Sequence, residues 1–327
     1  MILVTGATGF IGSHLMCHLA KKDIYPVALF RHASNQKVVR ALFESTFSGD
    51  AHERFQKIIW RQGDLRDFSS LLAAFEGITS VYHCAGYISM AQGDIAKLNE
   101  INIQGSTFLV NLCLEKAVKK LVYVSSIAAL GSDPTTDRID EYTAWDNTTD
   151  KTPYAYSKYG GEIEVWRAMQ EGLNAVIVNP GIVLGKDSPF DTVIQRFEKG
   201  FRGYTPGSSG FVSIADVIEV LEHLMNSTIR DERFILVAEN WTGKAVARFI
   251  LNNNGKSSRV FKIPKSFFYL FWILEYSLML LRMKKRFLTL ALISSLYEQK
   301  SIDGSKIKTV IPFEYRPIGK LLSTSAV

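Results

Sequence analysis

Tyr154 and Lys158 stand four residues apart in the run YAYSK, so on a helix they share one face. That pairing suits proton transfer. A tyrosine hydroxyl titrates near pH 10, about three units too high to ionise at neutral pH unless a cation stabilises the phenolate. Lys158 offers that cation, and Pro153 just ahead of Tyr154 suits the first turn of a helix carrying both. In a chain with 13 tyrosines one such spacing arises by chance; the added signal is Ser126, which ends the apolar run LVYVSS. A hydroxyl at a strand end, on the edge where α/β sheets bind ligands, can donate to a substrate oxygen while Tyr154 moves the proton; otherwise it caps local backbone. Together the three side chains suit hydride transfer to a carbonyl or from an alcohol.

Hydride transfer needs a carrier, and VTGATGFIG, Val4 to Gly12, offers a place for one. Gly6, Gly9 and Gly12 follow an apolar run, Ile2 to Thr5, and lead into a helical pattern from Phe10 to Lys22, with Thr8, Phe10 and Ile11 completing the candidate binding turn. Amides at a helix start attract anions, and glycine lets the backbone approach a pyrophosphate without a Cβ; the plainer reading is a tight turn with close helix packing. The spacing is G-x-x-G-x-x-G rather than the G-x-G-x-x-G dinucleotide fingerprint. The next strand ends in LFRHASN. An acidic residue there would bond a ribose 2′-hydroxyl; Arg31 stands in that place, either pairing with a 2′-phosphate or lying solvated on the surface. NADP is therefore the preferred cofactor and NAD the other candidate. Asp64 in GDLRD either accepts from an adenine amino group or serves as a turn residue.

A sheet must position these residues. Nearly continuous apolar runs at 2–5, 25–30, 57–60, 80–84, 121–126 and 174–179 alternate with helical patterns at 10–22, 68–75, 94–116 and 154–170, with Asp67 as an N-cap. Strands of this kind, covered on both faces, predict an α/β fold: a Rossmann-like doubly wound parallel sheet with a smaller, mostly helical C-terminal substrate lobe. After Pro180-Gly181 the pattern changes to a loop-rich stretch with a helix at 190–199, a strand in GFVSI, a helix at 215–226, and a mostly helical remainder. The dinucleotide domain is thus expected over 1–182 and about 211–239, and the substrate lobe over about 183–210 and 240–327. Hydrophobic residues make up 47% of the 327, enough for a substantial core. The net charge of +6 comes from bases interspersed with acids, so nucleic acid is not implied. Cys17, Cys84 and Cys113 lie far apart without paired histidines, which favours buried reduced thiols, no metal site and a cytoplasmic chain. No basic n-region opens the sequence, so a signal peptide is not expected.

TGATGFIG, GDL, YHCAG, NINIQGS, VSSIAALG, YAYSK and NPGIVLG follow one another in an order that resembles the extended short-chain dehydrogenase/reductase family, also called the NAD-dependent epimerase/dehydratase family, over essentially the whole chain. The resemblance implies that Gly6, Gly9 and Gly12 hold pyrophosphate, that Asp64 and Leu65 flank adenine, and that Ala85 and Gly86 line the cofactor. It also implies that Asn102 supports the active-site region, that Ser126, Tyr154 and Lys158 are the catalytic trio, and that Pro180, Gly181 and Ile182 hold the carboxamide. Lys158 would also bond the nicotinamide ribose. Two departures narrow the branch. Ile127 and Ala128 stand where sugar-nucleotide dehydratases carry Asp-Glu, and Gly210 stands where many epimerases carry a phosphate-binding base. What is left resembles the dihydroflavonol reductase and 3β-hydroxysteroid dehydrogenase branch, which acts on ketone or hydroxyl groups of apolar molecules. A sugar-nucleotide epimerase holding NAD is the alternative, and a non-catalytic NADP-sensing protein is the alternative of another class.

Ser266 to Phe287, SFFYLFWILEYSLMLLRMKKRF, resists the plain soluble reading. Glu275 interrupts its apolar core, which is short of the roughly 20 residues a spanning helix needs. It is expected either to be buried in the substrate lobe against a hydrophobic pocket, or to lie on a membrane surface with Arg282, Lys284, Lys285 and Arg286 near anionic head groups. The helices at 94–116 and 154–170 are also candidates for pairing in a homodimer.

Overall fold

The computed structural model describes residues 1–132, 136–146, 150–280 and 288–322. Its main sheet has seven strands: β1 (Ile2–Thr5), β2 (Val27–Phe30), β3 (Ile59–Gln62), β4 (Ser80–His83), β5 (Lys120–Val124), β6 (Ala175–Pro180) and β7 (Glu232–Leu236). They lie in the order β3-β2-β1-β4-β5-β6-β7, every pair parallel. Successive side chains of a strand point to opposite faces, and both faces here are apolar. Val4, Ala28, Tyr82, Val122 and Val176 join one core cluster, while their neighbours Leu3, Val27, Val81, Leu121 and Ala175 join the other. Helices Phe10–Lys21 and Ile214–Asn226 cover the first face; helices Gly105–Glu115 and Pro153–Gln170 cover the second. The strand order reverses between β1 and β4, so the crevice beyond their C-terminal ends is the switch point where ligands of such sheets bind.

Several elements differ from the sequence reading. The second strand starts at Val27 because Pro26 has no amide to donate. Ser125 and Ser126 leave the sheet after Val124. The helix expected over 94–116 is interrupted: Ile95–Leu98 passes into a π-helical stretch, Asn99–Gln104, before Gly105–Glu115 resumes α geometry. Helices Gln36–Thr46 and Ala51–Gln56 and strand β7 were not read from sequence. The first of these helices buries only Val39, Leu42 and Phe43, and β7 opens with the charged pair Glu232 and Arg233, so neither announces itself as a long apolar pattern.

The expected strand in GFVSI is Ser208–Ser213, which forms a separate small sheet between Ile182–Leu184 and Glu239–Thr242. A third cluster, including Leu184, Ile194, Phe197, Phe211 and Ile250, lies beside it. Strands Phe261–Lys262 and Ser301–Ile302 interrupt the expected run of helices after 240. The apolar helix Lys265–Leu280 is not buried: Phe267, Leu270, Phe271, Ile273 and Leu274 are all exposed, because a single stripe of it packs on the body. Residues 281–287, with Arg282, Lys284, Lys285 and Arg286, lie outside the described residues.

Candidate active site

The glycine turn opens at the end of β1 and packs onto the end of β4. Gly6 has φ +67°, and a Cβ there would stand 2.6 Å from the Ala85 amide nitrogen. A Cβ on Gly12 would stand 2.1 Å from the Gly6 carbonyl oxygen, so the helix starting at Phe10 approaches the turn only because no side chain intervenes. Gly9 donates its amide to Gly6 O at 2.9 Å and serves as N-cap without a side-chain cap. The first turn of that helix holds no acidic residue, so its positive end has no counter-charge and its first amides lack intrahelical acceptors. A Cβ on Gly9 would meet only Gly6 O, at 3.2 Å, and otherwise face open space. Beneath the turn, Thr5 Oγ1 and His83 Nδ1 share a buried hydrogen bond of 2.7 Å between the paired ends of β1 and β4. Burial holds His83 neutral, its pKa lowered to about 3, with the nearby Lys158 charge adding to the shift.

Arg31 follows β2 and is exposed, and its carbonyl accepts from Gln62 Nε2 at 3.3 Å. It lies on the same edge as Asp64: Arg66, by hydrogen bonding, and then the Arg31 charge hold the Asp64 carboxyl below its usual range. The Asp64 carboxylate already accepts from the Arg66 guanidinium at 2.7 Å and from the Arg66 amide at 3.0 Å. Sequence reasoning missed Arg66, although it stands two residues from Asp64. These two residues, with Asp67, Glu100 and Gln104, line a groove of about 370 Å³. Leu65 is buried, and a Cβ on Gly105 would stand 2.9 Å from its Cβ.

The three proton-transfer candidates come together beyond β5. Ser126 caps the short turn Ile127–Ala129, its Oγ accepting from the Ala128 amide at 3.2 Å, and its side chain lies near enough to Tyr154 to act on the hydroxyl's pKa. Thr152 caps the helix Pro153–Gln170 by accepting from the Ala155 amide at 3.2 Å, which fixes where the first turn presents Tyr154. Burial raises the Tyr154 pKa, and the Ser126 side chain offsets part of that rise. One turn further, Lys158 is 4% exposed and donates to Val124 O at 3.0 Å. Burial pushes its pKa down to about 8, against the opposing pull of Glu162 and Cys84. A Cβ on Gly86 would lie 3.7 Å from both Lys158 Nζ and Asn102 Oδ1, so Gly86 leaves the approach to both open. Asn102 sits in the π-helical stretch and ties three segments together: its Oδ1 accepts from the Tyr87 amide at 2.8 Å, and its Nδ2 donates to Tyr87 O at 2.9 Å and Ser157 Oγ at 2.8 Å. π-helical turns concentrate at functional sites.

Behind this group runs a buried chain that sequence reasoning missed. Asn179, on β6, donates to Ser126 O at 2.9 Å and to Glu162 Oε1 at 2.5 Å, and Glu162 pairs with Arg233 of β7. Glu162 is fully buried. One signal was in the sequence: Glu162 follows Lys158 by four residues, on the same helix face as Tyr154. Pro180 and Gly181 continue from Asn179, the Gly181 amide donating to Leu236 O at 2.9 Å, and Ile182 opens the small sheet. Ser125 Oγ and Asn179 Oδ1 are buried polar atoms with no protein partner. These orphaned atoms, the open glycine cradle and the uncapped helix start fit a dinucleotide running from the Arg31 edge to Lys158.

The sequence model of the NAD-dependent epimerase/dehydratase family matches residues 2–227. The chain is 30% identical to Sterol demethylase protein B of Methylococcus capsulatus over 267 residues, 80% of this chain and 77% of that protein. It is 29% identical to Cinnamoyl-CoA reductase 1 of Arabidopsis thaliana, over 68% of this chain and 65% of that one. The crystal structure of gox2253 superposes with a TM-score of 0.81 at 25% identity, over 99% of this chain and 96% of that one.

Proposed function

The chain belongs to the NAD-dependent epimerase/dehydratase family, and from that membership we propose that it is an NADP-dependent reductase of a ketone carried by an apolar small molecule. One observation carries the reading: the Ser126 side chain acts on the buried Tyr154 hydroxyl to offset part of its raised pKa, with the Lys158 ammonium buried one turn away on the same helix. When bound, the reduced nicotinamide supplies the hydride. Tyr154 gives its proton to the carbonyl oxygen, and Ser126 Oγ holds that oxygen in line. Lys158 favours the phenolate left on Tyr154 and bonds the cofactor ribose, while Arg31 holds the 2′-phosphate.

Two observations support an apolar ketone rather than a sugar nucleotide. A Cβ on Gly210 would stand 2.5 Å from Val237, so position 210 has no room for a phosphate-binding side chain. Two relatives carry names that refer to a sterol and to a reductase of an aromatic acyl compound. A screen of cyclic and aromatic ketones, following NADPH absorbance, tests the reading. Steady NADPH consumption with one ketone class supports it. Tightly held NAD, with sugar nucleotides equilibrated and no net cofactor consumption, overturns it.

A further inference from the structure

Helix Lys265–Leu280 packs with its one acid, Glu275, inward and most of its described apolar residues outward. Glu275 is 4% exposed and accepts from the Leu288 amide at 2.9 Å. Phe268 meets the Tyr297 ring edge-on at 6.2 Å, and Lys265 lies 5.9 Å from the same ring. Positions 265, 268 and 275, with the half-buried Trp272, therefore form one packed stripe. Outside it Phe267, Leu270, Phe271, Ile273 and Leu274 are between 42% and 69% exposed, and Tyr269 and Tyr276 flank them. At about 100° per residue these positions cover roughly 220° of the helix surface. Ser277, within that arc, bonds back to Ile273 O at 3.0 Å, so its hydroxyl has a partner inside the helix.

Exposed apolar side chains also stand in the chain ahead of the helix. Phe201 and Phe261 are 48% and 60% exposed. A Cβ on Gly203 would stand 2.8 Å from Phe201 and 2.9 Å from Ile263, so these two side chains lie side by side just ahead of the helix. Arg259 and Lys262, just ahead of the helix, are exposed, and from Lys256 to Arg286 the sequence holds eight Lys or Arg against one acid, the buried Glu275, with four of those bases outside the described residues. Contiguous apolar surface of this kind marks an interaction site.

We propose that this face docks on an anionic lipid bilayer, with the helix lying along the surface. An acyl boundary accepts apolar side chains over a wide arc, and lipid head groups take up the flanking cations. As described, the helix is too short to cross: sixteen residues span about 24 Å, short of the roughly 30 Å hydrocarbon core. Among the described residues no helix is long and apolar enough to span. A second copy is a poorer occupant, because two-fold pairing covers one stripe and sets the same cations against each other. The docking does not rest on the reductase reading.

Co-sedimentation of the full chain with vesicles of phosphatidylcholine, alone or mixed with phosphatidylserine, tests it at low and high salt. The expected result is binding to the mixed vesicles that high salt weakens and that Leu270→Gln with Leu274→Gln reduces by roughly tenfold or more. NADP affinity and the thermal melt of that double variant stay at the wild-type values. Equal recovery with and without mixed vesicles, or undiminished binding of the double variant, overturns the proposal. So does a concentration-dependent dimer that the double variant abolishes, which assigns the face to a second copy.

Discussion

Lys158 is the residue whose charge is most exposed to change. Its pKa is pushed down to about 8 by burial, so the ammonium is present below that pH and lost above it. Ketone reduction is therefore expected to decline as pH rises through about 8, where a solvated lysine would hold its charge to near 10.5. A pH profile of kcat/KM checks this. Stability runs the other way. Between pH 8 and 10.5 the unfolded chain binds the Lys158 proton and the folded chain does not, so wild-type stability rises with pH relative to Lys158→Met across that window. Denaturant melts of both proteins through the window measure the difference. At the adenosine end, Arg31→Ala is expected to lower NADP affinity by roughly 10- to 100-fold, the worth of hydrogen bonds to a charged group, and to leave NAD affinity unchanged. Calorimetric titration with both cofactors decides it; equal affinity for the two, unaltered by the substitution, contradicts the role given to Arg31.

At the scale of elements, β6, β7 and the helix Pro153–Gln170 are joined by Glu162, Arg233 and Asn179. Removing one partner of a buried ion pair leaves an uncompensated charge, so Glu162→Leu is expected to cost about 3 to 5 kcal/mol in urea unfolding. Glu162→Leu combined with Arg233→Leu should recover most of that loss; a double variant as unstable as the single one contradicts the pairing. This network also shows what the sequence could and could not disclose. Gly6, Gly9 and Gly12, or Tyr154 and Lys158, act through fixed local spacing, and a helix or turn converts such spacing directly into geometry. Glu162 and Arg233 are 71 positions apart and meet only because β7 pairs with β6. Of the two readings the sequence left for Lys265–Leu280, the buried one does not hold, for a related reason: hydrophobicity all round a helix does not say how much surface is available to cover it.

The whole molecule closes on its main sheet from both ends of the sequence. Five of the seven strands were legible as apolar runs because parallel strands are covered on both faces; the edge strand β3, less buried, was read two residues early at 57–60. The return of the C-terminal segment was not legible: Ile307, Ile311 and Phe313 pack into the cluster built by β1, β4 and the first helix, and Arg316 pairs with the buried Asp216. Ending the chain at Ser305 removes, among the described residues, five buried apolar side chains, Ile307, Ile311, Phe313, Ile318 and Leu322, about 8 to 15 kcal/mol at roughly 1.5 to 3 each, which is comparable with the whole stability of a domain. The shortened chain is expected to lose its cooperative melt by circular dichroism, and an unchanged melt would show that this segment is dispensable. The most direct test of the account is transfer of label from NADPH deuterated at the reactive carbon to a ketone that the screen identifies. The account predicts one NADPH consumed per alcohol formed, deuterium on the carbinol carbon, and a rate lowered roughly 100- to 10,000-fold in Tyr154→Phe with NADPH binding intact. Near wild-type turnover in Tyr154→Phe, or product formed without net NADPH consumption, would contradict it.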